Sequence, residues 1–222
     1  MEKLSLPLAL GAFLPVLLAG WGMFVLARLL ARLDRNCGHL ASLGFLLITL
    51  GGFFYASWKL VSAAAGWDVA VLRHSLFILL APGFVLVAWA IWNTFQHHSS
   101  GTPVWVVPVI VIVVGGGAAA ISALSKGGQR WFYILLGLTA IAYSATAILL
   151  AWQAARRGVQ LAVFLLVIYW LMIGAQLGLL QLQGLPIAWQ WMEQITSTIA
   201  WGAFAYATWQ LETKIIRRAE RI

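Results

Sequence analysis

The chain has 222 residues, of which 63% are hydrophobic and only 9% charged, with a mean hydropathy of +0.92; soluble domains carry about 25% charged residues. This composition describes an integral membrane protein and excludes a water-soluble globular domain. The formal net charge of +8 does not point to nucleic acid, because the Lys and Arg residues gather at helix ends and in the C-terminal tail, where they orient a membrane protein.

A spanning helix needs about 20 apolar residues, and the sequence divides into seven such stretches, at 6–30, 40–62, 70–95, 103–124, 130–153, 159–181 and 187–211. The fold expected is all-α, a polytopic seven-helix bundle in one domain over residues 1–212, followed by a basic cytoplasmic tail at 213–222. The first stretch is too long for the apolar segment of a secretory signal, about 7 to 15 residues, and is read as a helix of the mature chain. Pro7 and Pro15 lie in it, and Arg28, Arg32 and Arg35 gather at its end. The second carries the small pair Gly51-Gly52. The third, Arg73 to Trp92, has a cation and an imidazole at its start and Pro82 in its middle. The fourth contains the run Gly115-Gly116-Gly117-Ala118-Ala119-Ala120, whose lack of bulk predicts a packing seam. The sixth ends near Gln176, Gln181 and Gln183, and the seventh holds Glu193, Thr196, Ser197 and Thr198 among tryptophans. The single Cys37 excludes an internal disulfide.

Basic residues set the orientation. Arg28, Arg32, Arg35, Arg156, Arg157, Lys214, Arg217, Arg218 and Arg221 lie on one face, against Lys3, Lys59, Arg73, Lys126 and Arg130 on the other. The positive-inside rule places the richer face in the cytoplasm, so the N-terminus is expected outside and the C-terminus inside. The expected location is the cell membrane, as a multi-pass protein of a bacterial inner membrane.

Charged groups at membrane depth are expensive and are functional candidates by default. Arg73, His74 and Glu193 qualify; an Arg73–Glu193 pair tying the third helix to the seventh is expected, with a ligand or ion gate as the alternative. Metal binding would need His39, His97 and His98 to meet, and no acidic or thiol pattern accompanies them, so no metal site is expected. The six acidic residues scatter between the two faces, which gives an intramembrane enzyme no carboxylate cluster to work with and leaves it a minor alternative.

With seven spans, short loops and Arg73 nine residues before Pro82, the chain resembles the microbial rhodopsins. RHSLFILLAP at 73–82 keeps the family's Arg-to-Pro spacing in the third helix. GGGAAAISALSKGGQRWFYILLGLTAIAYS from Gly115 is similar to the family's join of helices four and five, and WLMIG at 170–174 and WGAFA at 201–205 to its sixth and seventh helix cores. The resemblance implies a retinal held through a Schiff base on a lysine of the seventh helix, but Ala200 stands at that position. Leu76 stands at the counterion, Thr196 near the second carboxylate and Val87 at the donor carboxylate. Lys59, Lys126 and Lys214 are all read at helix ends, so no register shift restores the attachment.

The expected protein is therefore a rhodopsin-like scaffold without covalent retinal, acting as an interaction, accessory or sensory subunit. The alternative is a binding protein or transporter that holds a small apolar molecule, such as a retinoid, carotenoid or lipid, without a covalent bond. Phe77, Tyr133, Phe164, Tyr169, Trp170 and Ala200 would line its pocket. No cofactor is otherwise expected; the partners are membrane lipid and a second copy or another membrane protein.

Overall fold

The computed structural model describes residues 5–96, 103–126, 128–179 and 187–219. Among these the chain forms eight helical segments: α1 (Leu6–Gly11), α2 (Phe13–Leu33), α3 (Arg35–Ala65), α4 (Ala70–Gln96), α5 (Val106–Lys126), α6 (Arg130–Arg156), α7 (Gln160–Leu179) and α8 (Ile187–Ala219). The α1–α2 rod, α3, α4, α5 and α6 are each long and apolar enough to cross a membrane, and α7 contains a shorter apolar stretch at Gln160–Gln176. The protein is an all-α multi-pass membrane protein. Its last helix is long but less apolar, because Glu193, Gln194, Thr196, Ser197 and Thr198 interrupt its first half.

Boundaries differ from the sequence reading where caps decide them. The expected first span is broken after Gly11, near Pro15, which has no amide hydrogen to donate to the Gly11 carbonyl one turn earlier. The Gln194 side-chain amide of α8 donates to that carbonyl instead. Between α2 and α3 there is no loop beyond Asp34. Its carboxylate accepts from the amides of Asn36 at 2.8 Å and Cys37 at 3.1 Å, an N-cap that starts α3 five residues earlier than expected. Gly66 ends α3 in the left-handed conformation at φ 70°, which a side chain would strain. The expected tail at 213–222 is, as far as Ala219, a continuation of α8.

The rods form a closed ring. α2 packs on α3 and α8, α3 on α4, α4 on α6, α6 on α7, and α7 on α8, while α5 lies outside against α6 and α4. Close approach is decisive where α3 meets α4: a β-carbon at Gly44 would stand 2.7 Å from the Gly83 carbonyl oxygen. α2 and α8 are equally tight at Gly22, where it would stand 2.8 Å from the Ala205 Cα. The expected seam on α5 is only partly used. Gly115 meets Leu138 and Ala119 is buried, but Gly116 and Gly117 face open space. The outward faces are apolar, with Leu17, Val113, Ile141 and Phe164 all exposed, as lipid-facing side chains are.

Candidate functional site

The ring is not filled evenly along its length. At one end Met23, Leu26, Leu29 and Leu30 of α2 interlock with Ala90, Ile91, Leu150, Phe204, Ala207 and Leu211 in a dense core. At that end the Arg28 guanidinium also grips Glu212 with two bonds, Nε to Oε1 at 2.7 Å and Nη2 to Oε2 at 2.6 Å. Glu212 is only 3% exposed and Arg32 adds a more distant contact at 4.0 Å. This fork joins the first long helix to the last.

Toward the other end the interior opens into a cavity of about 150 Å³, walled by α2, α3, α4, α6, α7 and α8. Ile48, Leu80, Phe84, Tyr143 and Trp201 line its deep part. The Phe84 and Trp201 rings lie nearly parallel, 21° apart with centroids 6.5 Å apart, and Tyr169 packs against Trp201 at 5.3 Å with its plane tilted by 58°. Near the rim the lining turns polar: Tyr55, Lys59, Gln176, Glu193, Gln194 and Ser197. The spacing on α3 explains part of this. Gly52, Tyr55 and Lys59 follow at i, i+3 and i+7 and so share one helical face, and Gly52 lets Val16 of α2 approach closely, since a β-carbon there would stand 3.2 Å from it.

Lys59 Nζ donates to Glu193 Oε1 at 3.2 Å, and its ammonium lies 5.0 Å from the Tyr55 ring centroid. The lysine side chain is 9% exposed and the glutamate 33%. Glu193 is fixed through its backbone: Gln176 on α7 donates to its carbonyl oxygen at 3.1 Å. A buried ammonium needs a charge partner, and an acid one helix away supplies it while keeping contact with the surroundings.

This pairing replaces the one expected from sequence. Arg73 donates instead to Asp68 at 3.1 Å on an exposed surface, and Trp58 Nε1 donates to the same carboxylate at 2.8 Å. His74 meets the edge of Trp131 on α6, with centroids 5.2 Å apart. Arg73, His74 and Glu193 are therefore not brought together. Two physical reasons account for it: Asp68 lies only five residues before Arg73, and α3 runs six residues beyond Lys59, which carries that lysine inside rather than to the helix end.

The expected pocket is also divided. Phe77 lines the cavity, and Tyr169 and Ala200 are buried in the core beside it. Tyr133, Phe164 and Trp170 are exposed on the outer surface, Trp170 bonded to the Ser144 hydroxyl at 3.0 Å. The cavity face of α8 carries Glu193, Gln194, Ser197 and Trp201, while Ala200 is fully buried in the adjoining core. Leu76 is in the cavity wall, whereas Val87 is packed against Gly44 and Thr196 bonds back to Met192. His39 is exposed, and His97, His98, Gln181 and Gln183 lie outside the described residues. Among the described residues no three His, Cys, Asp or Glu side chains form a metal-sized group.

A second, mainly apolar recess of about 330 Å³ lies between α4, α5 and α6, bounded by Pro82, Gly116, Ala119 and Leu135. No family model, curated protein or solved structure matches this chain.

Proposed function

We propose that this membrane protein holds a small amphipathic molecule, without a covalent bond, inside its helix bundle. The observation that carries the reading is the cavity at the Lys59 end, apolar and aromatic in its depth and polar at its rim, in contrast to the dense core at the Glu212 end. Binding sites are typically apolar hollows with a few convergent polar groups. Lys59, Glu193, Tyr55 and Ser197 are those groups here.

Size sharpens the reading. Pockets for drug-sized ligands run to about 300 Å³ and above, and a cavity of about 150 Å³ takes up benzene-sized molecules. A compact ligand is therefore favoured over a full retinoid or carotenoid. The distribution of basic residues supports an orientation with the Lys59 end outside and the Glu212 end cytoplasmic. The rhodopsin-like reading rests on the sequence motifs around Arg73, Pro82 and Gly115 and on the closed ring of rods; its role here is a binding scaffold without a Schiff base on α8.

Native mass spectrometry of protein extracted in mild detergent from its own membranes tests the proposal. The expected result is one retained small molecule, absent from the cavity-filling variant Leu80→Trp. Identical ligand-free spectra for both proteins would count against it.

A second reading, an interaction subunit, draws on α5. This helix touches the ring on one side only and presents Val113, Val114 and Ile121 outward. Cross-linking in native membranes through a cysteine placed at Val113 would capture such a neighbour, and failure to capture one would retire that reading.

A further inference from the structure

Glu193 presents its carboxylate to Lys59 at the polar end of the cavity. Its carboxylate is 3.2 Å from Lys59 Nζ, above a cavity that continues inward past Leu80 to Phe84 and Trp201. We propose that the ligand is a free medium-chain fatty acid whose carboxylate displaces Glu193 from Lys59 and whose chain fills the apolar part of the cavity. This inference rests on the ligand-binding reading above.

The exposures of the two partners make the exchange feasible. Lys59 is buried and must keep a negative partner, whereas a third of the Glu193 side chain is already exposed. When a second carboxylate arrives, Glu193 can turn toward the rim and be solvated there, so no unpaired charge is left inside. The Tyr55 and Ser197 hydroxyls line the same polar end and can donate to the incoming oxygens. A cationic head would instead be set against Lys59. A neutral head would leave the ion pair intact and gain nothing from it.

Length follows from the helix that forms the wall. Glu193 and Trp201 are eight residues apart on α8, about 12 Å at 1.5 Å per residue, which suits a chain of about eight carbons. A phospholipid with two long chains does not fit a cavity of about 150 Å³. The empty protein thus carries its own surrogate ligand, and occupancy replaces one carboxylate with another.

Fluorine NMR of the whole chain in nanodiscs, with 8-fluorooctanoate and 8-fluorooctanol as probes and empty nanodiscs subtracted, tests the assignment. Wild-type protein should bind the acid more tightly than the alcohol. Lys59→Met should weaken octanoate by about tenfold, the worth of one charge-assisted bond, and leave octanol within about twofold by the same reasoning. Glu193→Gln should tighten octanoate by about threefold to tenfold, because the competitor for Lys59 is weakened.

Retained octanol binding reports that each variant is folded. Weaker octanoate binding by Glu193→Gln, or an acid-to-alcohol ratio unchanged by Lys59→Met, would overturn the fatty-acid assignment alone. Binding of neither probe by the wild type would overturn the ligand-binding reading beneath it.

Discussion

The two ends of the bundle solve the same electrostatic problem with opposite packing around it. Each carries an ion pair between one buried and one partly exposed residue: Glu212 with Arg28 at one end, Lys59 with Glu193 at the other. At the Glu212 end, large side chains of α2, α4, α6 and α8 interlock beneath the pair, and the pair works as a clamp. At the Lys59 end, the small side chains of Ala12 and Ala19 line the opening and the pair stands over a hollow. The difference teaches that a buried charge is not a site by itself. What lies beside it decides whether it fastens or receives.

The largest effect that would test this contrast is in the dense half. Phe204→Ala should cost about 3–5 kcal/mol, since a fully buried ring leaves a new void. Leu80→Ala, facing space that already exists, should cost about 2 kcal/mol, the lower end of the range for such truncations. Thermal unfolding in a single detergent compares them. Equal losses would mean that the hollow collapses in solution.

Next in size come the charges, whose removal should be asymmetric. Glu193→Met strands Lys59 and should cost about 2–3 kcal/mol, less than a fully enclosed pair because the cavity can admit water. Lys59→Met leaves only the partly exposed Glu193 behind and should cost about 1 kcal/mol, and the double variant should recover most of either loss. A double-mutant cycle with no coupling would dissolve the pair as a structural element.

Smaller again is Gln194→Leu, which leaves the Gly11 carbonyl freed by Pro15 without its α8 donor. It should cost about 1 kcal/mol, read as a lower unfolding midpoint. Arg73→Gln should be smallest. Its bond to Asp68 is exposed on both sides, and such pairs are worth less than about 1 kcal/mol. A large loss there would restore Arg73 to the importance its place in the sequence suggested.

Much of the architecture was readable in advance. The rods, their order and their polytopic character follow from apolar stretches longer than a bilayer needs, since an unsatisfied backbone in lipid leaves helix as the solution. The finer boundaries were readable only in part. Asp34 has the residue type of an N-cap, yet its place in an Arg-rich stretch suggested a loop. The site was less legible still. Lys59 was assigned to a rim because the second span was drawn to end three residues later, and α3 in fact continues to Ala65. The aromatic residues chosen for a pocket divided between interior and lipid because apolar composition is alike on both faces of a membrane helix. Hydropathy therefore cannot separate Phe77 from Phe164.

What the sequence determined by itself is the class of molecule: a chain of helices that must lie in a membrane, because its composition leaves no other solvent for them. What only the tertiary structure decided is which polar residues meet. Glu193 has a buried lysine beside it rather than Arg73, because ring closure sets α8 near the α3 face bearing Gly52, Tyr55 and Lys59, while Asp68 holds Arg73 at the surface. Pairing in a membrane interior depends on the angular position of a few side chains around their helices, and that angle is fixed by packing, which no single stretch of sequence contains.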